Sequence, residues 1–158
     1  MPYSLSAPYK ICCAAVRLAG SFSLANAIFE AVPLDTIVYD YTGISGGVWN
    51  VSQPTTIKTP VGYNWFKASG DIFFPINATG IRRATCRLNN AAFIMAPGNT
   101  GAGDPNIGAH VNFQSAWYQM IGGTDILNLY AYQDSGAAMA LGNGTGCYIA
   151  VEFKVTLP

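Results

Sequence analysis

The sequence predicts an all-β fold, an antiparallel sandwich or barrel of about eight to ten strands. Three observations predict it. Apolar residues recur at every second position in several segments, the period of a strand with one buried face. Apolar residues at helical spacing are almost absent. Turn-forming clusters separate the runs: "TGISGG" (42–47), "TPVG" (59–62), "NATG" (77–80), "RLNNA" (87–91), "PGNTGAGDPNIG" (97–108), "GGT" (122–124) and "GNGTG" (142–146). Gly, Asn and Pro in such clusters favour tight connections over long crossovers.

Along the chain, "MPYSLSAPYK" has two prolines and no alternation. Residues 1–11 therefore read as an arm ahead of a single domain, 12–158, and Tyr3, Leu5 and Tyr9 are its candidate docking side chains, free to order on binding. Between Tyr63 and Phe74 both faces are aromatic, with Tyr63, Trp65 and Phe73 on one and Phe66, Ile72 and Phe74 on the other. From Ala109 to Ile121, Val111, Phe113 and Trp117 share a side. His110, Asn112 and Gln114 begin the other, and Tyr118 and Met120 end it. From Asp125 to Gln133, Leu127, Leu129 and Ala131 form a core face, opposed by Ile126, Asn128, Tyr130 and Tyr132. A weak strand, 137–141, leads through a glycine turn to the clearest alternation in the chain. There Cys147, Ile149, Val151, Phe153 and Val155 point inward, and Tyr148, Ala150, Glu152, Lys154 and Thr156 outward.

Composition narrows the function. Of 158 residues, 51% are hydrophobic and 10% charged, and eight basic residues balance eight acidic ones. A neutral chain offers no electrostatic handle for nucleic acid. The uncharged stretch 135–151 does not read as a membrane helix, because four glycines, Asn143 and Thr145 interrupt it. The N-terminus lacks an apolar h-region, and Arg17 interrupts "ICCAAVRLAG", so no cleaved secretory signal is expected. Cys12, Cys13, Cys86 and Cys147 lack metal-ligand spacing and read as buried free thiols, which suits assembly in a reducing cytoplasm.

No enzymatic chemistry, cofactor or metal is expected. His110 is the only histidine and reads as a polar strand residue. Asp104 and Asn106 could supply oxygens to calcium, but two side chains fall short of the roughly six to eight ligands that calcium takes. "IRRATCR" clusters Arg82, Arg83 and Arg87, and Arg83 and Arg87 share a face. The cluster is either a small basic patch or a solvated, ion-paired strand. The sequons at Asn50, Asn77 and Asn143 fall in or beside turns and read as turn residues.

Five segments in order carry a family resemblance: "VPLDTIVYD" (32–40), "IKTPVGYNWFKASGDIFF" (57–74), "NATGIRRATCRLNNA" (77–91), "GGTDILNLYAYQDSG" (122–136) and "GTGCYIAVEFKV" (144–155). In the second, Thr59, Pro60, Gly62, Tyr63 and Phe66 match. Together they resemble the globular head of complement first-component q-type proteins, within the tumour-necrosis-factor-like jelly rolls. Asn90 departs from the pattern, standing where a turn glycine is usual. The resemblance implies a ten-stranded two-sheet jelly roll, a compact homotrimer and binding rather than catalysis.

Outward aromatic rings fit that implication. Each buries about 150–250 Å² when covered, and packing three copies about an axis covers them. The expected subunit contacts are Tyr63, Trp65, Tyr118, Tyr130 and Tyr132. The functional expectation is a virion structural protein of a bacteriophage, a trimeric decoration or cement protein. It is assembled in the host cytoplasm, placed on the virion surface, and bridges major capsid protein subunits or another virion protein. The alternative is a trimeric receptor- or glycan-binding head, at a fibre tip or secreted, using the loops 41–50 and 97–108.

Overall fold

The computed structural model describes residues 9–91, 98–100, 108–142 and 146–156. Thirteen strands are present among them: β1 (Tyr9–Arg17), β2 (Ser21–Leu24), β3 (Glu30–Ala31), β4 (Thr36–Asp40), β5 (Ile57–Lys58), β6 (Trp65–Phe74), β7 (Arg82–Leu88), β8 (Gly98–Thr100), β9 (Ala109–Gln114), β10 (Tyr118–Gln119), β11 (Ile126–Gln133), β12 (Met139–Gly142) and β13 (Tyr148–Thr156). The number exceeds the expected ten because several are fragments of two to four residues. No helix long and apolar enough to cross a membrane occurs among the described residues.

Every strand pairing is antiparallel. One sheet runs β10-β6-β13-β1-β4, with β9 also on β6. The other runs β3-β11-β7-β8, with β5 also on β11. A short pair, β12-β2, stands apart. The inward side chains of both sheets meet in one core, including Phe66, Ile72 and Phe74 of β6, Leu127 and Leu129 of β11, and Ile149 and Phe153 of β13. The alternation expected for β11 and β13 is observed: their predicted core faces are buried wherever the side chain is described, apart from the half-buried Val155 at the end of β13.

Two departures have local causes. β1 begins at Tyr9, which pairs with Thr156, so Tyr9, Lys10 and Ile11 belong to the sheet and the arm can extend no further than residue 8. Tyr3 and Leu5 lie outside the described residues. The segment 109–121 is not one strand. The Ser115 hydroxyl accepts a hydrogen bond from the Ala68 amide (2.9 Å), and the Ser115 amide donates to the Ala68 carbonyl (2.8 Å). This local pairing, followed by Ala116 and Trp117, separates β9 from β10 and resets the alternation. Val111 and Phe113 point inward before the break, and Tyr118 and Met120 pack on the core after it.

The hairpin end after β7 explains the missing glycine. Asn89 and Asn90 adopt φ of 53° and 58°, the left-handed region that asparagine tolerates better than other non-glycine residues. Asn50 and Asn77 also act as turn residues. Their side-chain oxygens accept from the Ser52 and Thr79 amides at 3.1 and 2.9 Å. Asn143 lies outside the described residues.

All four cysteines are free: Cys12, Cys86 and Cys147 are buried and Cys13 is half-buried. Burial pushes the Cys86 thiol up to about 12. At pH 8 roughly one Cys86 in ten thousand is then thiolate, the reactive form. Native protein treated with an alkylating reagent at pH 8 is expected to leave Cys86 unlabelled in the mass spectrum. Unfolding should release all four. Rapid labelling of native Cys86 would contradict its burial.

Candidate subunit interface

The outward face of the six-stranded sheet follows from its register. One row is Ile11, Lys154, Trp65 and Gln119, and the next is Cys13, Glu152 and Lys67. A third is Tyr39, Ala15, Ala150, Ser69 and Gln114, and a fourth is Arg17, Tyr148, Asp71 and Asn112. The third row is built of small residues between Tyr39 and Gln114. Tyr148 therefore stands between two hollows. One, of about 320 Å³, is lined by Ala15, Val38, Tyr39 and Ala150 among others. The other, of about 480 Å³, is lined by Ser69, Gly70, Phe113 and Gln114 among others.

Exposed apolar side chains gather on this face toward β4, among polar and charged ones. Ile11, Val38, Tyr41 and Tyr148 are all at least 40% exposed on this face or at its edge. Tyr39 stacks on Tyr41 with ring centroids 5.6 Å apart. Burial raises the Tyr39 phenol above its ordinary pKa, and Cys13, Glu152, Tyr41 and Tyr148 add in the same sense, which places these groups in one cluster. Several charged groups on the face are already engaged, and Arg17 stays exposed beside Tyr148. Lys67 and Glu152 approach to 3.9 Å. The Lys154 ammonium lies 4.3 Å from the Trp117 ring centre and 5.6 Å from that of Trp65. Asp71, 7% exposed, accepts from or donates to His110 Nδ1 at 2.6 Å through one oxygen, according to protonation.

The five expected contact residues are not brought together. Tyr63 joins the core, 8% exposed, and burial together with its contact to Cys12 pushes its phenol up to about 12. Tyr118 packs inward at the sheet edge, stacked on Phe66 with centroids 5.9 Å apart. Only Trp65 faces outward on this sheet, beneath Lys154. Tyr130 and Tyr132 lie on the outer face of the other sheet, where Arg83 and Arg87 roof them. The Arg87 guanidinium lies 4.1 Å from the Tyr130 ring centre and 5.0 Å from that of Phe29. Arg83 lies 5.6 Å from that of Tyr132. Phe29 and Tyr132 approach to 4.7 Å. Arg83 and Arg87 thus stack on rings rather than standing as a free basic patch. Each cation–π contact contributes about 0.5–1 kcal/mol at partly exposed sites. These rings are half-buried by their own chain.

A separate cavity of about 450 Å³ lies between the loop 42–45, the segment 58–63 and the turn 123–126. No group of three or more metal-ligating side chains occurs among the described residues. Asp104 and Asn106 lie outside them.

No known family model matches the sequence, and no curated protein matches it. Solved structures do match. Murine APRIL at pH 8.0 superposes with a TM-score of 0.62 at 11% identity, over 91% of this chain and 99% of that one. Eiger TNF from S. frugiperda superposes with a TM-score of 0.56 at 11% identity, over 96% of each chain. The fold is a tumour-necrosis-factor-like jelly roll. Identities this low speak to the fold alone. Within this jelly roll, sequence reasoning missed Tyr39, Tyr41 and Tyr148. The phase of Tyr148 between Cys147 and Ile149 did mark it as outward, but its neighbours Glu152 and Lys154 made that face read as mostly wet.

Proposed function

We propose that this protein is a non-catalytic module that assembles as a homotrimer through the outward face of the six-stranded sheet. We further propose that the trimer is a capsid decoration protein of a bacteriophage, bridging capsid subunits at the virion surface after assembly in the host cytoplasm. The observation that carries the assembly is the apolar outward face around Tyr148, with hollows on either side. Exposed apolar patches of this kind mark association surfaces, and stable obligate interfaces bury about 2,000 Å² or more. The low charge and the sequence resemblance support the same reading. Three identical patches can meet three equivalent sites, and their binding gains by multivalency.

Light scattering on the wild-type chain, followed by co-sedimentation with undecorated capsids, tests both steps. A trimer that pellets with capsids supports the proposal. A monomer at high dilution removes the first step, and a trimer that binds only cells removes the second. A receptor- or glycan-binding head is the second reading, favoured by the 450 Å³ cavity.

A further inference from the structure

We infer that the cavity between the loop 42–45, the segment 58–63 and the turn 123–126 binds a carboxylate-bearing sugar. The inference deepens the ligand-binding reading and rests on it, independently of trimer formation. The volume of about 450 Å³ falls within the roughly 300–1,000 Å³ of small-molecule sites.

The chemistry follows from which polar groups are already spent. Asp125 is 8% exposed, and both its oxygens are committed, one to the Asn89 side-chain amide (2.7 Å) and one to the Ile121 backbone amide (2.6 Å). The Thr59 hydroxyl donates to the Asp125 carbonyl (2.6 Å) and the Thr42 hydroxyl to Asp40 (2.6 Å). Three lining side chains remain without a hydrogen bond or ion pair among the described residues: the Lys58 ammonium and the hydroxyls of Ser45 and Thr124. The free set is one cation and two hydroxyls, and the one lining carboxylate, Asp125, is 8% exposed and turns both oxygens to amide donors. A charge-assisted hydrogen bond from Lys58 is the strongest interaction that this set can make.

The rest of the lining is apolar. Ile44 and Tyr63 contribute, and Val61 stands 83% exposed at the rim. An inorganic anion would leave that side unused, and a neutral sugar would make no bond between opposite charges with Lys58. A sugar acid presents a carboxylate, hydroxyls and a CH face together. Two of the walls are fixed to each other by backbone bonds from Gly123 to Thr59 (3.0 Å) and from Gly122 to Tyr63 (3.1 Å), which limits the ordering that opposes binding.

Calorimetric titration of the full chain tests the site with glucuronate, N-acetylneuraminate, glucose and sulfate. An oligosaccharide ending in N-acetylneuraminate serves as the arm for a surface glycan, and the free acids serve as the arm for a soluble ligand. Saturable binding in either acid arm, with glucose and sulfate at least about tenfold weaker, supports the site. Lys58→Ala and Thr124→Val should each weaken the acids, Lys58→Ala by about tenfold or more. Added salt should weaken them too, and Lys67→Ala, on the other sheet, should not. Equal binding of glucose or sulfate would overturn the sugar-acid assignment while leaving a ligand site. No saturation by any of the probes at about 10 mM would overturn both. Unchanged acid binding in Lys58→Ala and Thr124→Val would also overturn the assignment.

Discussion

An Ala150→Arg chain is expected to run as a folded monomer. Ala150 lies in the small-residue row beside Tyr148, half-buried on the outward face, and its side chain lines one of the two hollows. An arginine there projects away from the core and fills that hollow. In a trimer every copy would bury the added guanidinium, and an unpaired buried charge costs several kcal/mol. Three such costs exceed what an interface of about 2,000 Å² can absorb after its ordering costs. Light scattering should therefore fall from about 50 kDa, three times the chain mass, to 16.8 kDa, with an unchanged β-sheet circular dichroism spectrum. Ala140→Arg, at an exposed position on β12, is the control and should stay trimeric. Trimeric Ala150→Arg would move the interface elsewhere.

The second large effect is on stability. Arg82 is 1% exposed. Its guanidinium donates to the carbonyls of Asn77 (2.8 Å), Thr79 and Gly80 (2.7 Å), closing the loop between β6 and β7. Burial lowers its pKa, and the Asp134 carboxylate opposes that shift. Asp134 in turn accepts from the Ile81 amide. Arg82→Ala leaves three carbonyls of the loop without their buried donor. The expected loss is about 3–5 kcal/mol, or roughly 6–20 °C of melting temperature for a domain of this size. Arg82→Lys should recover only part of it, because one ammonium cannot reproduce the planar fork. Arg83→Ala, which removes one ring contact, should cost about 1 kcal/mol or less. Equal losses at 82 and 83 in urea or thermal denaturation would show that the buried network contributes little.

These two arginines also show where sequence reasoning stops. Strand periodicity gave both faces of β13 and the core face of β11, because a buried face repeats every two residues wherever the strand is unbroken. It assigned Tyr130 and Tyr132 to a neighbouring copy because nothing local reveals that Arg83 and Arg87 lie across the ladder from them. Tyr63 was misassigned because it precedes β6, where the strand's alternation has no hold. Tyr118 was misassigned because Ser115 interrupts the period. The fold was legible from pattern and order. The surface that remains uncovered depends on partners distant in sequence, so it needed the structure.

The first and last strands, β1 and β13, pair along their whole length, and β13 also separates β1 from β6 in the sheet. Until β13 emerges from the ribosome, two inner strands each present a bare row of amides and carbonyls. Nascent chains carrying such edges are prone to pair with one another. Production of this protein should therefore reward slow translation or chaperone supply late in synthesis, and a tag that tethers residue 158 should hinder closure more than one attached at residue 1.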